Sequence, residues 1–106
     1  MTTHEALMGA RAEIEKGWCK YLAEDRFGNV CSVGAVRRVC RSEGSLDLQN
    51  AAIDAALRCL YLAVPGSTSI PLYNDRASTT KADVLALFDR ALVVVADQAH
   101  DFAVAS

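Results

Sequence analysis

Between Lys81 and Asp97, the apolar residues Val84, Leu85, Leu87, Phe88, Ala91, Leu92 and Val95 recur with the spacing of one side of an α-helix. No other segment constrains the fold as strongly, because a stripe this wide must be covered. A chain of 106 residues has room for one hydrophobic core, and hence for one domain spanning residues 1–106. A chain of that size buries roughly two thirds of its unfolded surface, enough to fold without covalent staples. The apolar share is carried by Ala, Val and Leu, with aromatic residues at only 7%, which favours packed helices over a sandwich of strands. Thr79 or Thr80 is placed to cap this last helix, and Asp83 adds negative charge to its first turn.

Three further helices are expected upstream. Thr2 and Glu5 have the T-x-x-E form of a capping box, and Leu7, Ala10, Ile14 and Trp18 follow at helical spacing, predicting a helix over 3–16 ended by a left-handed Gly17. Ser32 is read as the cap of a short helix reaching Arg41, with Ala35, Val36, Val39 and Cys40 inward and Gly44 beyond its end. Ser45 or Asp47 caps a longer helix over 46–63, whose buried stripe is Ile53, Ala56, Leu57, Leu60, Tyr61 and Val64; Pro65-Gly66 stops it. Between the first two helices, Gly28-Asn29 suggests a turn, so a small hairpin or an ordered loop fits there. The stretch 64–80 reads as irregular, anchored on the core by Ile70, Leu72 and Tyr73. The expected fold is therefore mainly α: a compact bundle of about four helices with a hairpin or ordered loop between the first two. Its core is expected to hold Ile14, Trp18, Val36, Val39, Ile53, Leu57, Leu60, Leu85, Phe88 and Leu92, joined by Cys40 and Cys59.

A net charge of −2 argues against nucleic-acid binding through bulk electrostatics, and no apolar run approaches the length of a membrane span. The N-terminal Met1-Thr2-Thr3-His4-Glu5 lacks the basic start and apolar run of a signal peptide, so a cytoplasmic location is expected. The four cysteines, Cys19, Cys31, Cys40 and Cys59, lack the close pairs typical of zinc ligands and read as small buried hydrophobes. Neither metal nor cofactor is expected.

Three blocks resemble a known pattern: Gly17-Trp18-Cys19, then Cys31-Ser32-Val33-Gly34-Ala35, then Tyr73-Asn74-Asp75 followed by Thr80 to Ala91 (T-K-A-D-V-L-A-L-F-D-R-A). In that order they resemble a family of small proteins of unknown function from actinobacteria, proteobacteria and their phages, with the pattern G-W…C-x-x-G-A…W-N-D…T-x-x-E/D-V-L-x-L-x-D-R-A. The resemblance spans residues 12–91 and departs at Tyr73, where the pattern commonly has tryptophan. It implies a fold and no enzymatic activity. Its phage connection implies, by analogy, an accessory protein that binds a host protein, with inhibition of a defence system as one form.

Two constellations are candidates for function. Arg26, Arg37, Arg38 and Arg41 lie in a stretch free of acids between Asp25 and Glu43, the pattern of a patch for an acidic protein surface or a phosphate backbone or, more simply, of a solvated helix face. Asn74 and Asp75, with Trp18 and Tyr73, could line a groove holding an acid–base group or a small ligand; the simpler reading makes Asn74 or Asp75 a turn or cap ahead of the last helix. Cys31, near a helix N-terminus, is the cysteine most suited to reactivity, although His4 and His100, its only candidate bases, sit at the chain ends. Phosphate loops, dinucleotide fingerprints and hydrolase elbows are absent from the sequence. The expectation is a non-enzymatic interaction module with a host protein as partner, or alternatively a small enzyme or ligand binder at the Asn74-Asp75 groove. Homodimerisation through the Val93-Val94-Val95 side of the last helix is compatible with the first.

Overall fold

A computed structural model describes residues 1–105, and the side chains of residues 1–98. The chain is mainly helical: α1 (Thr3–Lys16), α2 (Ser32–Cys40), α3 (Leu46–Ala63), α4 (Ile70–Asp75) and α5 (Lys81–Ala105). α1 packs against α2, α3 and α5, α3 also meets α2 and α5, and α4 lies against α2.

Local chemistry explains most of the boundaries. The Thr2 side chain accepts from the Glu5 N–H while Glu5 reaches back to the Thr2 N–H, closing the expected capping box. Ser45 Oγ accepts from Leu48 N–H to start α3. Thr80 and Asp83 exchange the same reciprocal bonds at the start of α5. At α2 the cap is Cys31, whose Sγ accepts from Gly34 N–H at 3.3 Å, and Ser32 is instead the first helical residue. Gly17 ends α1 with φ 177°, which is extended and not left-handed; glycine is needed there because a Cβ would strike the Asn29 side chain.

The stretch read as irregular contains a short 3₁₀ turn (Pro65–Ser67) and α4. Ser69 Oγ caps α4 by accepting from Leu72 N–H, and Pro71 sits in its first turn, where its missing N–H has no helical partner to lose. Ile70 and Tyr73 are anchored on the core as expected, but Leu72 points outward and is 66% exposed. One helical turn cannot bring three of four consecutive residues to the same face.

The core is one cluster in which Leu7, Ile14, Val30, Val36, Leu60, Val84, Leu87 and Phe88 are fully buried. Each such side chain contributes about 1.5–3 kcal/mol of apolar burial. Cys40 and Cys59 belong to it, whereas Trp18, Val39, Ile53, Leu57, Leu85 and Leu92 are only partly buried against it. Tyr61, read into the inner stripe of α3, is 56% exposed.

Residues 17–31 form an ordered loop and not a hairpin. Val30 is its pivot, bridging Trp18 in parallel and Glu24 in antiparallel fashion. The loop crosses α2 so closely that a Cβ on Gly34 would collide with the Ala23 carbonyl. Gly34→Ala should therefore destabilise the protein by about 2–3 kcal/mol in urea unfolding, because the obstruction is backbone that cannot swing away. A change within about 0.5 kcal/mol would mean that the loop is free to lift off α2.

Candidate functional site

Asn74, on the last turn of α4, is 1% exposed and joins three segments distant in sequence. Its Oδ1 accepts from Trp18 Nε1 at 2.9 Å, from Ser32 N–H at 3.0 Å and from Ser32 Oγ at 2.7 Å. Its Nδ2 donates to the Cys19 carbonyl at 3.2 Å and to Asp75 Oδ1 at 3.0 Å. Asp75 Oδ1 in turn accepts from Tyr21 N–H at 2.9 Å. Asn74 thus does satisfy a helix N-terminal N–H, as the cap reading required, but that of α2 and not of the last helix. Among the described residues no buried side-chain nitrogen or oxygen lacks a partner.

Of the predicted groove residues, Trp18, Asn74 and Asp75 are joined by hydrogen bonds; Tyr73 is buried, its carbonyl accepting from Thr79 Oγ1 at 2.7 Å and the Arg76 guanidinium 5.8 Å from its ring centroid. A cleft of about 130 Å³ opens beside Asn74 and Asp75, walled by Tyr21, Leu22, Cys31, Val33 and Pro71. Tyr21 is held there at φ 73°, a left-handed backbone that non-glycine residues seldom adopt, with its ring 76% exposed. Nothing in the local sequence announces that strain; it follows from Asp75 fixing the Tyr21 N–H. Lys20 Nζ donates to the Arg76 carbonyl at 2.7 Å and lies 5.5 Å from the Trp18 ring centroid, tying the loop to the end of α4 a second time.

The four arginines do not act alike. Arg38 is spent on the fold: its guanidinium reaches Glu13 at 3.2 Å, Glu24 at 3.3 Å and the Gly28 carbonyl at 2.9 Å. Arg26 stacks on Phe27, 4.9 Å from its ring centroid. Arg41 pairs with Glu24 at 3.0 Å, yet its side chain stays 63% exposed. Arg37 is exposed and makes no hydrogen bond or ion pair among the described residues. Arg37 and Arg41 line one side of a groove of about 400 Å³ between α2 and α3, where Gln49, Asn50, Ile53, Asp54 and Leu57 form the rest.

The sequence model of DUF6197, a family of unknown function, matches residues 1–93. The chain belongs to that family. The matched span takes in the Asn74 hub, the whole loop of residues 17–31 and the α2–α3 groove. No curated protein and no solved structure matches the chain.

Among the described residues no group of three or more His, Cys, Asp and Glu side chains is disposed to hold a metal ion, and no helix is long and apolar enough to cross a membrane. Cys40 and Cys59 are buried, and burial pushes both thiols up. His100 lies outside the residues whose side chains are described. Sequence reasoning missed Glu13 and Glu24, and read Ser32 as a helix cap and not as a partner of Asn74; these roles arise only once the chain has folded.

Asn74→Ala would orphan the Trp18 indole N–H and the Ser32 N–H at once and should cost about 3–4 kcal/mol in urea unfolding followed by Trp18 fluorescence. A loss under about 1 kcal/mol would show that solvent replaces the carboxamide. The carboxyls of Glu24 and Asp25 both titrate below their ordinary values, Glu24 chiefly through its hydrogen bond from Arg38 and Asp25 chiefly through that from Asn29. A carboxyl lowered in the folded state stabilises it above the ordinary carboxylate range, and that contribution is lost as pH falls through the lowered value. The stability advantage of the native chain over Glu24→Gln should therefore be constant above about pH 5 and shrink between pH 5 and 3.

Proposed function

We propose that this chain is a non-enzymatic protein-interaction module that engages an acidic segment of its partner in the α2–α3 groove. The observation that carries the reading is Arg37, an exposed guanidinium with no partner among the described residues, in a largely polar groove that also holds Ile53 and Leu57. Arg41 adds a second accessible guanidinium on the same side, and Ile53 and Leu57, both partly buried, offer a place for an apolar side chain of the partner. Such a combination suits a short peptide stretch that presents carboxylates next to a hydrophobic anchor. Asp54, the single acid lining the groove, repels carboxylates at the opposite side and so sets which way the segment lies. A phage or mobile-element accessory protein that modulates a host protein, for instance by inhibiting a defence system, is the setting proposed on the strength of the family resemblance. A cytoplasmic location belongs to the same proposal. Self-association is a part of it that Val93 supports, being 59% exposed on α5.

A second reading, a small-ligand site in the cleft beside Asn74 and Asp75, is favoured by the strained Tyr21 at its mouth.

The deciding experiment is capture of partners from host lysate by tagged protein, with mass spectrometry and light scattering of the eluate, using the native chain and Arg37→Glu/Arg41→Glu. Arg37 and Arg41 are both exposed and the variant gives up only the surface pairing of Arg41 with Glu24, so it should keep its helical circular dichroism while its affinity for a stoichiometric partner falls at least roughly tenfold. Equal capture by the double variant would remove the groove from the account. Arg38→Glu is unsuited to this test, since it breaks the contacts with Glu13 and Glu24 and reports on folding instead.

A further inference from the structure

The loop of residues 17–31 brings two cysteines together that are far apart along it. Trp18 pairs in parallel with Val30: Val30 N–H donates to the Gly17 carbonyl and Cys19 N–H to the Val30 carbonyl, each at 3.0 Å. Segments paired in this way run about 4.8 Å apart. The next residue on each side is a cysteine, so Cys19 and Cys31 follow directly on one paired position, beyond which the Asn74 carboxamide links the Cys19 carbonyl to the Ser32 N–H; a disulfide spans about 4.4–6.8 Å between Cα atoms. Both are partly exposed, unlike Cys40 and Cys59, which are sealed in the core. Cys31 also lines the cleft beside Asn74 and Asp75, giving a small oxidant a way to its sulfur.

We propose that Cys19 and Cys31 form an oxidation site that closes to an intrachain disulfide when the protein meets a peroxide. Cys31 Sγ attacks a peroxide oxygen; the O–O bond breaks, Cys31 becomes a sulfenic acid and one water (or alcohol) leaves. Cys19 Sγ then attacks the Cys31 sulfur, the S–O bond breaks, and the hydroxyl departs with the Cys19 proton as a second water. Two thiols are oxidised by two electrons and one peroxide is reduced. In the reduced protein the sulfurs are turned to other partners: Cys19 Sγ donates to the Leu22 carbonyl at 3.4 Å, and Cys31 Sγ accepts from Gly34 N–H at 3.3 Å. Closing the bridge withdraws the cap from α2 and staples the two ends of the loop that carries Tyr21 and Leu22. Reduction by thiols restores the cap, so the bond is reversible.

The test treats the reduced, full-length chain with hydrogen peroxide, blocks free thiols by alkylation and maps tryptic peptides without reductant. The expected product is the peptide Gly17–Lys20 joined to Phe27–Arg37, about 2 Da lighter than the sum of the two thiol peptides and separated again by dithiothreitol. In the Cys19→Ser variant, where the second step is blocked, dimedone should label Cys31. Free Cys19 and Cys31 after peroxide treatment would overturn the proposal, as would a bridge from either one to Cys40 or Cys59, or separate overoxidation of each sulfur without a linked peptide. Absence of the dimedone adduct in Cys19→Ser would overturn the order of the two steps. The peptide map of the native chain decides the site independently of whether the variants fold.

Discussion

One carboxamide holds the molecule's least regular parts in place. Asn74 supplies an acceptor to the indole of Trp18 and to both the backbone and side chain of Ser32, and a donor to the Cys19 carbonyl and to Asp75. In a site this buried, each orphaned donor would cost about 1–3 kcal/mol, so the three segments either assemble around Asn74 together or not at all. The same assembly holds the Tyr21 N–H on Asp75 and the Cys19 carbonyl on Asn74. Glycine at position 34 is its steric counterpart, since the Ala23 carbonyl occupies the place of a side chain there.

The loop also decides which charges remain available. By bringing Glu24 and the Gly28 carbonyl over the end of α2, it captures Arg38, which Glu13 of α1 holds from the other side. Arg37 is the next residue back, about 100° around the helix, and so escapes to solvent beside α3. A run that looks like one basic patch in the sequence is therefore divided into a structural ion network and an exposed pair. The distinction matters for chemistry: a guanidinium already saturated by two carboxylates and a carbonyl has little left to offer a partner.

Much of the helical framework was legible beforehand. Thr2 with Glu5, Ser45, and Thr80 with Asp83 mark helix starts through bonds that span three residues, and the apolar periodicity of α5 identifies the face that Val84, Leu87, Phe88 and Ala91 bury. The misreadings share one physical origin. Leu72 and Tyr61 are hydrophobic and near the core in sequence, but which side of a helix faces inward depends on where its neighbours lie. Gly17 was assigned a backbone role, whereas the constraint is the Asn29 side chain across the loop. For the site, Asn74 and Asp75 were singled out and Trp18 was placed beside them, yet the helix N–H that Asn74 satisfies is that of Ser32 in α2, 42 residues earlier, while Asp75 accepts from the Tyr21 N–H. Tyr73, the residue before them, is buried in the core cluster and makes no side-chain hydrogen bond in this network.

By itself the sequence determined the helical class, the limits of α1 and α3 and the start of α5, and the residues able to make a core, because those depend on contacts within one or two turns. Tertiary structure alone decided that residues 17–31 form an ordered loop and not a hairpin, that Ser32 and Asn74 meet, that Arg38 is consumed while Arg37 stays exposed, and that Cys19 and Cys31 both follow directly on the Trp18–Val30 pairing. Those outcomes rest on hydrogen bonds and steric contacts between segments brought together only when the chain closes on its core. No local propensity encodes the position of a partner that arrives from dozens of residues away.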